Sequence, residues 1–260
     1  MEPAQEGRPQ VVGKVAAVLT ALAREGAAGR RLLDLADETG LARPTVHRIL
    51  RELAAAGFVE QRPGRRYGLG PALYLLGLGA PSPIRDHDAV RQVAQELAGR
   101  TGDTVYVAIR RLDGVHYLTR ADGGYPIRAE IVEVGETVPL GVTYAGIALL
   151  AWHEPERVEA QVRANAALRR LMRFPVAGPE ETLTSVRRQI TQIREYGYCF
   201  DKDTVMPGVS GMAAPVPSAA SDPYLAITLS GVNDRLPAAR IRDLAPQLLE
   251  AAGELARYIA

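Results

Sequence analysis

Arg43, Thr45, His47, Arg48 and Arg51 fall in one short stretch, and their side chains are of the types that hold nucleic acid. Guanidinium and imidazole groups contact phosphates and the acceptor edge of guanine, and a threonine hydroxyl serves either. Arg62, Arg65 and Arg66 follow around Pro63-Gly64. From Arg43 to Arg66 six arginines stand against two glutamates, an excess of four positive charges in a chain whose formal net charge is +1. A basic patch inside a neutral chain is the electrostatic footprint of a polyanion partner.

These side chains need a helix and a turn to present them. Val46, Ile49, Leu50 and Leu53 recur at the i, i+3, i+4, i+7 spacing of one helical face. That rotation puts Arg48 and Arg51 opposite, with Thr45 and His47 on the flanks. Pro44 suits a first helical turn and Gly57 a stop. Upstream, Val15, Val18, Leu19 and Leu22 mark a helix from Val12 to about Gly26. After a loop holding Gly29, Arg30 and Arg31, a second helix runs from Leu32 to Thr39, and Gly40 turns the chain. Downstream, Phe58–Arg62 and Tyr67–Leu69 read as two strands around a Pro-Gly turn. Three helices followed at once by an arginine-tipped hairpin form a winged helix-turn-helix.

A different chemistry is offered further on. Thr228 and Ser230, two apart in an apolar strand, carry hydroxyls on one side. Thr143 is placed to cap a helix from Tyr144, leaving the N–H groups of Tyr144, Ala145 and Gly146 to face an acceptor. The residues alone leave two readings open: one pole of a pocket, or hydroxyls bonded to neighbouring backbone.

At 260 residues and 47% hydrophobic, the chain is long enough for two domains. Pro71–Leu78 reads as a linker helix, and Gly79-Ala80-Pro81-Ser82-Pro83 as the boundary, giving domains of 1–82 and 83–260. The second begins with a helix around Val90, Val93, Ala94 and Leu97, closed by Gly99 and Gly102. Strands follow at Thr104–Arg111 and Val115–Thr119 with a turn at Asp113-Gly114, and a third at Pro126–Val134. Helical patterns at Thr143–Trp152, Glu154–Asn165 and Pro179–Tyr196 come next. Strands at Tyr198–Phe200, Val209–Val216 and Tyr224–Ser230 and a helix from Pro237 to Ile259 end the chain. The expected fold class is α+β, a winged helix-turn-helix ahead of a domain with an antiparallel sheet.

Several function classes are set aside. The single Cys199 excludes an internal disulfide framework, and the four histidines are scattered without metal-ligand spacing. Gly208-Val209-Ser210-Gly211-Met212 lacks the final glycine of a nucleophile elbow. No apolar run reaches membrane length, and the first ten residues are polar, unlike an export signal. The expectation is a soluble cytoplasmic protein with no catalytic residue, metal or cofactor.

Leu33-Asp34-Leu35-Ala36, Gly40 to Leu50 with its Thr-Val-His-Arg core, Gly57-Phe58-Val59 and Tyr67-Gly68-Leu69-Gly70 together resemble the winged helix-turn-helix of the isocitrate-lyase-regulator (IclR) family of bacterial transcription factors. Val138 to Ala151, Gly197 to Val216 and Ala226 to Gly231 resemble that family's GAF-like effector-binding domain. The resemblance implies a regulator of transcription that binds double-stranded DNA at an operator of symmetric half-sites, as a homodimer or homotetramer. It also implies an effector, a small organic acid or aromatic compound, lined by Tyr144, Ala145, Asp201, Val209, Gly211, Thr228 and Ser230. The chain departs from the family in having Pro44 where Ser or Thr is usual, Gly141 for His, Ile147 for Lys, Tyr144 for a small residue and Gly211 for Cys.

Overall fold

The computed structural model describes residues 11–24, 28–80, 82–111, 114–130, 132–171, 179–218 and 222–260. The expected polar lead at residues 1–10, the end of the first helix at Gly26 and most of the Asp113-Gly114 turn lie outside them. The chain divides into two compact units, Met1–Pro81 and Ser82–Ala260.

In the first unit, α1 (Val11–Arg24), α2 (Leu32–Thr39) and α3 (Arg43–Ala55) enclose a core of Val18, Leu22, Leu35, Val46, Ile49 and Leu50. Val46, Ile49, Leu50 and Leu53 are the buried residues of α3, as the spacing predicts. Burying an aliphatic side chain of this size contributes about 1.5–3 kcal/mol, so this face holds the helix in place whatever its front touches. Gly57, at φ 74°, ends α3, where the Phe58 N–H closes on the Leu53 carbonyl at 2.9 Å. A side chain at that φ would be strained. The wing is β2 (Val59–Arg62) paired antiparallel with β3 (Arg66–Leu69), and α4 spans Pro71–Leu78. The expected loop at Gly29–Arg31 contains a third strand, β1 (Arg30–Arg31), paired with β3 so that Arg31 faces Arg66 in register. Two residues are too few for an alternation pattern, which is why no strand is legible there.

The second unit is one antiparallel sheet with helices on both faces. It contains β4 (Thr104–Arg111), β5 (Gly114–Ala121), β6 (Thr137–Pro139), β7 (Cys199–Lys202), β8 (Val209–Pro215) and β9 (Leu225–Val232), in the order β6-β5-β4-β9-β8-β7. Val105, Val107, Met212, Ile227 and Leu229 pack against α5 (His87–Thr101) and α9 (Ala238–Leu255). Tyr106, Tyr117, Ala213 and Ala226 face the other way, toward α6 (Tyr144–Ala148), α7 (Pro155–Leu171) and α8 (Pro179–Tyr196). With both faces covered, β8 is buried throughout and β9 nearly so, and an apolar/polar alternation is lost there.

Three expectations need correction. The described residues of the Pro126–Val134 segment form no strand; Ala129 and Val132 are buried, but Pro126 has no N–H to give a ladder, and the edge strand is β6. The Thr143–Trp152 helix is only α6, Tyr144–Ala148, before the chain breaks into turns. Gly99 lies inside α5, and Gly102 alone provides its left-handed cap, accepting strain-free φ 76°.

Candidate functional site

On α3 the side chains of Arg43, His47, Arg48 and Arg51 are exposed and Thr45 is half-buried, on the helix whose opposite face is fixed in the core. The three wing arginines separate into two kinds. Arg62 pairs with Glu60 at 2.9 Å and lies across Gly68. Arg66 donates to the Gly29 carbonyl at 2.8 Å, tying the wing to the segment ahead of α2. Arg65, at φ 57° in the turn, is exposed at the tip. The arrangement offers a rigid cationic helix face and, beside it, a hairpin whose tip carries one outward guanidinium.

In the second unit the sheet and α6 enclose a narrow cavity of about 10 Å³, room for a single water molecule. Tyr106, Tyr117, Val132, Thr143, Tyr144, Ala145, Val205, Thr228 and Ser230 line it. Tyr106 is opposite Thr228 in the β4–β9 register, and Ser230 is two residues further along β9. Thr228 and Ser230 are 3% and 1% exposed, and neither hydroxyl has a hydrogen-bond partner among the described residues. Both hydroxyls border the cavity, where one water has room to pair with them.

The hydroxyls opposite are committed. Tyr106 donates to the Ala129 carbonyl at 3.1 Å, Tyr117 to Thr143 Oγ1 at 2.8 Å and Tyr144 to the Val209 carbonyl at 3.4 Å. Burial pushes the Tyr117 hydroxyl far above its ordinary range. Burial and the nearby Asp201 carboxylate do the same to Tyr144, so both stay neutral at any physiological pH. The cap on α6 is as expected, but Thr143 Oγ1 accepts the Gly146 N–H at 3.3 Å, so that donor is taken.

Of the sequence-level pocket residues, Tyr144, Ala145, Thr228 and Ser230 come together around the cavity. Val209 and Gly211 stand behind the Tyr144 ring: one accepts its hydroxyl proton, and the other makes room for it by having no Cβ. Asp201 is elsewhere. Its carboxylate receives Ser185 and Arg188 at 2.6 Å, Thr204 at 2.9 Å and Gln189 at 3.0 Å, and it borders an open groove beside α8. Sequence reasoning missed Tyr106, Tyr117, Val132 and Val205. Tyr106 had a signal: with Val105 and Val107 on one side of β4, it must face the other.

Two residues with nucleophilic atoms are placed for structure. Ser210 donates to Asn233 Oδ1 at 2.6 Å from within β8. Cys199 is buried, and desolvation pushes its thiol up to about 12. Among the described residues no group of three His, Cys, Asp or Glu is placed to hold a metal, and no helix is long and apolar enough to cross a membrane.

Residues 86–257 match the family described as bacterial transcriptional regulator IclR C-terminal, and residues 11–63 match the IclR helix-turn-helix domain. The glycerol operon regulatory protein of Streptomyces coelicolor is 30% identical over 259 residues, covering 96% of this chain and 95% of its own. The HTH-type transcriptional regulator BhcR of Paracoccus denitrificans is 30% identical over 231 residues, 87% of this chain and 80% of its own. Among solved structures, an IclR transcriptional regulator from Alicyclobacillus acidocaldarius matches with a TM-score of 0.56 at 26% identity, over 95% of this chain and 98% of that one.

Proposed function

Because the chain belongs to the IclR family of bacterial transcriptional regulators, we propose that it reads a specific operator through α3 and its wing, and that a small molecule held at the Thr228–Ser230 cavity sets that binding. The observation that carries the DNA half is the two-sidedness of α3. Its apolar back is locked into the core while Arg43, His47, Arg48 and Arg51 stand outward. In this reading those residues and Thr45 meet base edges in the major groove, and the wing arginines meet the backbone or the adjacent minor groove. A helix this short spans only a few base pairs, so two copies on symmetric half-sites, as a homodimer or homotetramer, supply the rest of the specificity.

The effector half rests on the Thr228 and Ser230 hydroxyls, which border a cavity also lined by Tyr106, Tyr117 and Thr143, next to the capped start of α6. Coupling to DNA then follows from any difference in ligand affinity between DNA-competent and DNA-incompetent arrangements.

The test is selection of genomic DNA fragments on the immobilised protein, followed by titration of the selected site. Arg48→Ala should lose about 1–3 kcal/mol on that site and little on random DNA if Arg48 reads a base. Unchanged affinity for the selected site would remove α3 as the reading element.

A further inference from the structure

We propose that the Tyr144 side chain is a tethered occupant of the effector site, a plug that an effector displaces before it reaches Thr228 and Ser230. This rests on the reading of the cavity given above and deepens it by naming what bars the way.

The first reason is space. The cavity beside Thr228 and Ser230 has room for one water, so a molecule of several heavy atoms fits only if a lining group leaves. Three of the lining groups are tyrosines, and a phenol ring is itself the size of a small ligand.

The second reason is that the three rings are held differently. Tyr106 lies in β4 between Arg120 of β5 and Thr228 of β9, and Tyr117 lies in β5 opposite Ala108. Their rings meet edge to face with centroids 5.5 Å apart, so each wedges the other. Tyr144 belongs to no strand. It is the first residue of the five-residue α6, directly after the extended Thr143. Its hydroxyl reaches the Val209 carbonyl at 3.4 Å, the longest of the three tyrosine bonds, with Thr204 as a second partner.

The third reason is the seat of the ring. It lies on Gly211, where a Cβ would overlap its Cδ2 and Cε2. Gly211 is opposite Ser230 in the β8–β9 register, and Ala213 is opposite Thr228. Residues paired in this way share a face of the sheet, so the seat of the ring adjoins the two hydroxyls. Withdrawing the ring turns a one-water cavity into a space that takes a ring, with Ser230 and Thr228 at its side. An effector then competes with a side chain tethered at its own site, and its apparent affinity is the intrinsic one scaled by the fraction of molecules with the ring out. Tyr144 in this way sets both the size of what enters and the concentration needed.

The experiment measures access to residue 228 in the intact chain. Thr228→Cys puts a thiol at the cavity in a Cys199→Ala background, since Cys199 is the one native cysteine. Its rate of modification by methyl methanethiosulfonate is compared with Tyr144 intact and with Tyr144→Gly. Removing the ring should raise the rate at least ten-fold. Millimolar 4-methylphenol, the free counterpart of the tyrosine side chain, should slow it again at least ten-fold by refilling the seat. Met212→Cys, in the core on the other face of the sheet, reports general loosening, and its rate should stay the same. An unchanged rate at residue 228, an equal rise at residue 212 or no protection by 4-methylphenol would each overturn the inference and make Tyr144 ordinary core. If Tyr144→Gly melts far below the wild type, Tyr144→Leu makes the same comparison. Any of those results leaves the cavity reading standing, because labelling asks only what bars the way. That reading falls instead if no compound in a thermal-melting panel of alcohols, organic acids and phenols stabilises the wild type more than Thr228→Val with Ser230→Ala.

Discussion

The ring of Tyr144 occupies the space that a side chain at residue 211 would need: a Cβ built on Gly211 would overlap Tyr144 Cδ2 and Cε2. The two residues come from α6 and β8, and they are one packing decision. An absent methyl on the strand admits an aromatic ring under the helix, and the ring reduces the cavity to the volume of a water.

This pair makes a quantitative expectation. Gly211→Ala should destabilise the second unit by about 1–3 kcal/mol through overpacking. Tyr144→Ala should cost about 3–5 kcal/mol by leaving a void. The double variant should cost less than the two together by about 0.5–3 kcal/mol, because the methyl moves into space the ring has left. Urea denaturation of the four proteins closes the cycle. Costs that add to within about 0.5 kcal/mol would show that the two side chains do not compete.

The same pair shows where sequence reading stopped. Tyr144 and Gly211 were each visible as a departure from the family pattern, one gaining a ring and the other losing a side chain. Nothing in the linear sequence says that positions 67 residues apart touch, so they read as two facts. What was legible was periodic or punctuated: α2, α4, α8 and β4 begin and end where the residue patterns place them, because apolar spacing and the Pro and Gly stops act locally. What was not legible depended on neighbours. β1 exists only because β3 lies alongside it, and the described residues of the Pro126–Val134 segment resemble a strand in composition but join none. Asp201 illustrates the same limit within the site. The family resemblance put it among the effector contacts, yet Arg188, Ser185, Gln189 and Thr204 converge on it from α8 and the turn after β7.

Acid should weaken the second unit through His153. Its imidazole is buried next to Arg110 and Asp222. Burial lowers its pKa first and Arg157 next, with Arg110 in the same direction and Asp222 opposing. With the folded pKa below the unfolded value of 6.5, the unfolded chain takes up the proton first as pH falls. The stabilising contribution is therefore complete above pH 6.5 and is lost as pH drops through the window between the two pKa values. Denaturation midpoints measured from about pH 8 to pH 5 should fall at the acid end, and His153→Gln should flatten that fall. His116, whose pKa burial and Arg111 also lower, is the control: it is part-exposed on β5, and His116→Gln should flatten the curve less. Equal effects of the two substitutions would deny His153 its role.

The wing arginines should divide between binding and folding. Arg65 stands exposed at the tip, at φ 57°, and its side chain has no hydrogen-bond or ion-pair partner among the described residues. Arg65→Ala should leave stability within about 0.5 kcal/mol, as surface substitutions do. It should weaken binding to all DNA sequences alike and reduce the slope of log K against log salt by about one, the signature of one lost phosphate contact. Arg66 is different, because its guanidinium bridges from β3 to the Gly29 carbonyl. Arg66→Ala should lower the stability of the first unit by about 1 kcal/mol, the net worth of a part-exposed hydrogen bond. Arg66→Lys should recover little of that, since a single ammonium lacks the planar fork that reaches the carbonyl. The measurements are urea denaturation and DNA titration at several salt concentrations for each variant. If Arg66→Ala spares stability and flattens the salt slope as Arg65→Ala does, Arg66 is a phosphate contact too, and the bond to Gly29 gives way when DNA is bound.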